Sequence, residues 1–188
     1  MPNLERHFMT YIIFGAVVLL LIIISWVIRT LNRFKVLLVK IREADSGIDV
    51  ALTKRYDTLT KQLDVVKAYA KHESELFEKV IKLRAGMSIS EKNAANREMD
   101  TLSGRIKVVA ENYPALRSSE NFKALQAAIA DAEDHLQAAR RVYNMNVSAF
   151  NQAIVLFPAS MIAGGGGYRA MEFFIAEESK RADVKMSF

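Results

Sequence analysis

Residues 8–28 read FMTYIIFGAVVLLLIIISWVI, with no charged side chain between His7 and Arg29. A helix rises about 1.5 Å per residue, so this run reaches roughly 30 Å, the thickness of a bilayer's hydrocarbon core. It predicts one transmembrane helix over 8–28, preceded by a short extracytoplasmic N-terminus over 1–7. A cleaved signal peptide would want a basic start, a shorter apolar run and small residues at its exit. Here Glu5 offsets Arg6, and the exit reads Ser25-Trp26-Val27-Ile28-Arg29. Tyr11 and Trp26 sit near the two ends, where amphipathic rings favour the headgroup layer. A buried core helix of this length would need a large apolar surface to enclose it, and the remaining sequence offers none.

The flanks set an orientation. Arg6 and His7 precede the run, whereas Arg29, Arg33, Lys35, Lys40 and Arg42 follow it. Positive residues beside a span tend to stay cytoplasmic. The expectation is a single-pass inner-membrane protein with its N-terminus outside and its larger part in the cytoplasm. Those five cations form a basic collar at the membrane surface. The bilayer itself is the expected partner, with anionic headgroups meeting the collar; a solvated collar with no lipid preference is the plainer reading.

The 188 residues fit one anchor and one domain of ordinary size. There is no cysteine, which excludes disulfides, thiolate metal sites and thiol nucleophiles. The net charge of +5 is modest and gathers beside the membrane, so nucleic acid is not an expected partner.

Past the span, apolar residues continue at helical spacing as Leu31, Phe34, Leu38, Ile41, Ile48 and Leu52. No proline occurs between Asn3 and Pro114, so the membrane helix can run on; Gly47 weakens it by only about 1 kcal/mol. The line resumes as Leu59, Leu63, Val66, Ala70, Phe77, Val80 and Leu83, and Arg84-Ala85-Gly86 reads as a helix end. Ser88 or Ser90 caps a second helix with its seam at Ala95, Met99, Leu102, Ile106, Val109 and Tyr113, ended by Pro114. A third starts near Ser118 or Ser119. Its seam is Phe122, Leu125, Ile129, Ala132, Leu136, Ala139, Tyr143, Asn146, Phe150, Ile154 and Phe157, and Pro158 stops it. Strand signals are nearly absent. The fold class is therefore all-α: a membrane helix leading into a long antiparallel helical bundle over 29–157.

Residues 158–188 form a glycine-rich joint and a tail. Gly164, Gly165, Gly166 and Gly167 lack the lysine and hydroxyl residue of a phosphate loop, so they read as a flexible joint or a close backbone approach to another chain. Met171-Glu172-Phe173-Phe174-Ile175 is apolar enough to pack on the bundle, and Lys180–Lys185 reads as a loose basic tail.

Chemistry is hard to find. His72-Glu73 lacks the second histidine of a zinc-protease motif, since position 76 is Leu76. His72 and His135 lack the glutamate three residues earlier that di-iron bundles use. Asp131, Glu133 and Asp134 point to different helix sides and read as a solvated face. No catalytic residue, metal site or cofactor is expected. Lys54-Arg55 and Arg140-Arg141 are basic pairs on two long helices, read as structural ion pairs to Asp49, Asp57 or Glu133, or as a docking surface. Asn146, polar in an apolar seam, reads as a residue that fixes helix register.

Several stretches resemble the LemA family. Ala44-Asp45-Ser46-Gly47-Ile48-Asp49-Val50-Ala51-Leu52-Thr53-Lys54-Arg55-Tyr56-Asp57 is similar to its hallmark, as is Val65–Glu73. Glu111–Arg117 with Glu120-Asn121-Phe122 resembles its central segment. Ala139–Asn144, Phe150-Asn151 and Phe157-Pro158 resemble its C-terminal signature. Two departures stand out: Leu59-Thr60-Lys61-Gln62-Leu63 lacks the family's usual proline, and four glycines replace one or two. The resemblance implies an N-out anchor with a cytoplasmic helical bundle, no agreed enzymatic activity, and relatives associated with membrane organisation. The expected function is a non-enzymatic scaffold that self-associates as a homo-oligomer and organises or shapes the inner membrane. The alternative is an adaptor docking another membrane protein or a protease.

Overall fold

The computed structural model describes residues 2–70, 83 and 86–175, with side chains from His7 onward. His72-Glu73, Phe77, Val80, Arg84-Ala85 and the basic tail at Lys180–Lys185 lie outside the described residues. Within them the fold is all-α, without strands: α1 (Pro2–Tyr69), α2 (Ile89–Asn112), α3 (Pro114–Ser118), α4 (Glu120–Val155) and α5 (Ala159–Gly165).

α1 passes from the apolar run into the folded part without a break, straight through Gly47. Its first part is long and apolar enough to cross a membrane, and no part of that stretch is buried. Beyond it, hydroxyl side chains bond back to the preceding turn: Thr30 donates to the Trp26 carbonyl at 3.0 Å and Thr53 to Asp49 at 2.8 Å, which suits them to a helix interior. Phe34, Ile41, Ile48, Arg55 and Gln62 are all buried. They stand seven residues apart, the spacing that keeps one helix face toward a partner. Leu52, Leu59 and Val66 fill the flanking positions.

The chain packs as two compact units, Met1–Lys40 with Val147–Met171, and Ile41–Asn146 with Glu172–Phe188. In the first, the end of α4 buries Val147, Phe150, Ala153 and Ile154. Phe157-Pro158 is a cis peptide, and α5 leaves at 95° to α4. Gly164 and Gly165 belong to α5. Gly166 caps the helix, and Gly167 adopts φ +71°, a conformation that favours glycine. The close approach at these glycines comes from the same chain, since a Cβ on Gly166 would meet the Tyr168 ring at 2.8 Å. That turn sets Tyr168 edge-on against Phe34 and Phe150, at 5.0 and 6.4 Å between ring centroids. Asn151 then holds Met171 twice: its amide donates to the Met171 carbonyl at 2.9 Å, and the Met171 N–H donates to Asn151 Oδ1 at 2.8 Å.

In the second unit α2 starts with a capping box. The Glu91 N–H donates to Ser88 Oγ, and the Ser88 N–H to the Glu91 carboxylate. Pro114 ends it, as expected, and Tyr113 joins it to α3. α4 begins at Glu120, one residue past Ser119. Asp45 and Asp49 pair with Lys92, and Arg55 with Asn96 and Asp100, so residue numbers climb together and α2 runs parallel to α1. α4 runs antiparallel to α1, with Asp131 against Lys54 and Tyr143 within the field of Asp45. The antiparallel arrangement expected from the sequence thus describes α4 but not α2. Only the parallel run brings α2's lysine to the two aspartates and its aspartate to the arginine.

After the turn at residues 166–167 the chain is extended. Phe174 is buried between exposed Phe173 and Ile175. Asn144 holds Phe174 as Asn151 holds Met171, donating to its carbonyl and accepting from its N–H, each at 2.9 Å. The Tyr143 hydroxyl donates to the Glu172 carbonyl at 3.1 Å.

Candidate functional site

Among the described residues, the chemistry concentrates on two cations of the second unit that are almost wholly enclosed, Arg55 and Lys92. Arg55 takes a seam position on α1, and its side chain is 2 % exposed. An uncompensated charge there would cost several kcal/mol, so counter-charge must reach it. It does so at the two terminal nitrogens, while Nε is buried without a partner among the described residues. Its two terminal nitrogens divide the work. Nη1 donates to Asn96 Oδ1, and Nη2 donates to Asp100 and, at 2.8 Å, to Glu133. Three helices therefore converge on one guanidinium, whose planar fork suits several acceptors at fixed angles.

Lys92 on α2 is equally enclosed, and donates to Asp45 at 2.6 Å and lies 2.7 Å from Asp49. Burial works against its ammonium form, but the bonds and charges of the two aspartates outweigh that and raise its pKa above 10.5. Tyr143 feels the same neighbourhood. Burial foremost, then the charges of Asp45 and Glu172, push its phenol up to about 12. The space among Arg55, Asn96, Asp100, Glu133, Leu136, Gln137 and Arg140 is only about 10 Å³, on the scale of a single water. A substrate-sized group has no room there, so the arrangement acts as a clamp between helices.

The remaining predicted residues divide by burial. Lys54, next to Arg55, is exposed and pairs with Asp131 at 2.6 Å, a contact that holds the Asp131 carboxyl below its usual value. Of the anticipated acidic partners, Glu133 meets Arg55 and Asp49 meets Lys92. Arg140 is buried with its guanidinium 4.8 Å from the centre of the Phe174 ring, while Arg141 is exposed. Arg29, Arg33, Lys35, Lys40 and Arg42 are all exposed along α1. Asn146 is half-buried, and Val147 takes the buried position beside it. The α4 line therefore runs through 143, 147, 150 and 154.

Sequence reasoning missed Lys92, Asn96 and Asp100. Their signal was available: they recur every four residues on α2, a helix poor in large apolar side chains, so polar groups had to fill part of its buried face.

Comparison with known proteins bears directly on this region. A family model described as LemA family matches residues 44–188. That region contains Arg55, Lys92 and every partner named above. The chain is 28% identical over 153 residues to Protein LemA of Metamycoplasma hominis, covering 79% of this chain and 70% of that protein. It is 28% identical over 71 residues to magnetosome protein MamQ of Magnetospirillum gryphiswaldense. It is 30% identical over 71 residues to magnetosome protein MamQ 1 of Paramagnetospirillum magneticum. Each of these two matches covers 38% of this chain and spans only 26% of the magnetosome protein. With an exposed apolar N-terminal helix and a family match over most of its length, this membrane-anchored, all-helical chain belongs to the LemA family.

Proposed function

We propose that this protein is a non-enzymatic scaffold of the inner membrane, anchored with its N-terminus outside and its bundle in the cytoplasm, that self-associates to organise or shape the bilayer. The observation that carries the reading is the uncovered side of α1 just past the span, where Val36 and Val39 remain 53 % and 47 % exposed. The opposite side of the helix, at Phe34, is already packed by the chain's own α4. Two copies anchored in one membrane present these valines at the same depth, and confinement to a sheet raises their effective concentration. The basic collar faces anionic headgroups and fixes the orientation. Relatives named as magnetosome proteins support a role in membrane organisation.

Because the chain has no cysteine, Val36→Cys supplies a unique cross-linking site. In nanodiscs the full-length variant should oxidise to a disulfide-linked dimer. A monodisperse monomer at every concentration, with no cross-link, would end the self-association reading. The adaptor reading rests on Arg141, exposed on α4. Its test is a stoichiometric foreign partner on co-purification that is lost in Arg141→Glu.

A further inference from the structure

From Val142 to Tyr168 the chain carries no charged residue. Inside that stretch, at the corner between α4 and α5, Val155, Leu156, Phe157 and Met161 stand in the open, Phe157 at 81 % and Met161 at 72 % exposure. Contiguous exposed apolar surface of this kind marks a contact with a membrane or a partner.

Geometry within the first unit favours the membrane. Phe34 lies six residues past Ile28, about 9 Å beyond the end of the apolar run. Phe150 packs edge-on against Phe34 at 6.5 Å. α4 runs antiparallel to α1, so the five residues from Phe150 to Val155 climb back by about 7.5 Å. Leu156 and Phe157 follow. The corner therefore arrives level with the last turn of the span, where Trp26 and Ile28 mark the boundary between hydrocarbon and headgroups. α5 leaves α4 at 95°, and so lies across the direction of α1, flat to the bilayer surface. Ala163 faces inward and Met161 outward. Exposed Arg29 and Arg33 just past the apolar run, and Arg169 just past α5, are cations available to meet headgroups.

We propose that the Val155–Met161 corner enters the leaflet from which α1 emerges, as a second membrane contact that does not span. The anchored copy then touches the bilayer at two points, so the first unit cannot swivel freely about α1. This inference rests on the span at 8–28 and is independent of self-association.

The test uses single-cysteine variants of the full chain, Phe157→Cys and Met161→Cys. Val18→Cys in the span and the exposed Val108→Cys on α2 serve as references. Each is labelled with an environment-sensitive fluorophore and reconstituted in phosphatidylcholine–phosphatidylglycerol vesicles. Labels at 157 and 161 should show blue-shifted emission, loss of quenching by aqueous iodide, and quenching by doxyl groups placed shallowly on lipid chains. Labels that behave like Val108 while Val18 is lipid-shielded overturn the corner alone. A water-exposed Val18 overturns the anchor and the corner with it. Labels protected from iodide yet untouched by lipid-borne doxyl are covered by protein, and that result also overturns the membrane contact.

Discussion

The two units hold α1 against α4 by opposite chemistry. Near the apolar run the contact is aromatic, with Phe34, Phe150 and Tyr168 meeting edge to face. Farther along, the contact is ionic: Arg55 reaches Glu133 on α4 as well as Asn96 and Asp100 on α2, and Lys92 ties α2 to α1 through Asp45 and Asp49. Apolar packing tolerates small slips, because any methylene can replace another as neighbour. A buried cation tolerates far less, since a slip would separate its charge from the carboxylates that offset it. The aromatic end thus supplies adhesion, and the ionic end fixes which residue of one helix stands opposite which residue of another. Both units use one further device, an asparagine that binds an extended backbone through both its donor and its acceptor, Asn151 in the first and Asn144 in the second.

If this contrast is right, the largest effect belongs to Arg55→Ala. Removing the cation leaves Asp100 and Glu133 facing each other without a counter-charge, at a cost of about 3–5 kcal/mol for a buried pair broken on one side. Urea denaturation of the full-length protein in detergent should show it as a large drop in midpoint. A change no greater than that of a surface substitution would mean the guanidinium does not lock the helices.

Lys92→Met comes next, at about 2 kcal/mol for bonds to charged groups, because Asp45 and Asp49 can still reach water. It also carries a pH signature. The folded pKa of Lys92 is raised above 10.5, so its contribution is whole below that value and drains away as pH rises through the folded pKa. Tyr143, pushed up from 10.0 to about 12, acts in the same direction: folding favours the neutral phenol, and that contribution fades as pH climbs toward 12. Stability should therefore fall on the alkaline side, above roughly pH 10.5. Lys92→Met should flatten the early part of that fall, as measured by thermal midpoints across pH.

Much of this was legible in the residues, and the parts that were not share a cause. The exposed apolar stretch of α1 showed because crossing lipid demands an unbroken apolar run. The start of α2 at Ser88 and its stop at Pro114 showed because caps and prolines act locally. By contrast, α4 ends at Val155, short of Pro158, and Phe157, expected in its seam, stands exposed. Arg55 did not show as a core residue, since its burial is made affordable by Asp100 and Glu133, far away in sequence. Asn146 and Val147 both continue a line of three- and four-residue steps from Tyr143 to Phe150, and only the packed partner decides between them. The asparagine clamps were invisible for the same reason, as each needs an extended backbone that lies some twenty to thirty residues downstream.

On the aromatic side the expected losses are smaller and graded. Tyr168→Leu keeps the bulk but gives up two edge contacts, at about 1–2 kcal/mol in total. The loss should fall well below that of Arg55→Ala in the same urea denaturation. A loss at Tyr168 as large as that at Arg55 would mean that the two units do not divide their chemistry in this way.

The smallest effect is expected one residue from the largest. Lys54 and Arg55 are neighbours, both cationic and both paired with acids on α4, yet the Lys54 side chain is 44% exposed where that of Arg55 is 2%. Water solvates Lys54 and Asp131 nearly as well when they are apart, and holding a long side chain in place costs entropy, so an exposed pair contributes little. Lys54→Ala should leave the urea midpoint unmoved while releasing the Asp131 carboxyl, which the lysine holds low, toward its ordinary value of 3.8. A lowered folded value means any contribution of this pair is present above pH 3.8 and lost as pH falls through the folded pKa. Titration of Asp131 by NMR beside a denaturation curve reads both at once. If Lys54→Ala lowered stability as far as Arg55→Ala, charge alone would account for the lock, and the distinction drawn from burial would fall.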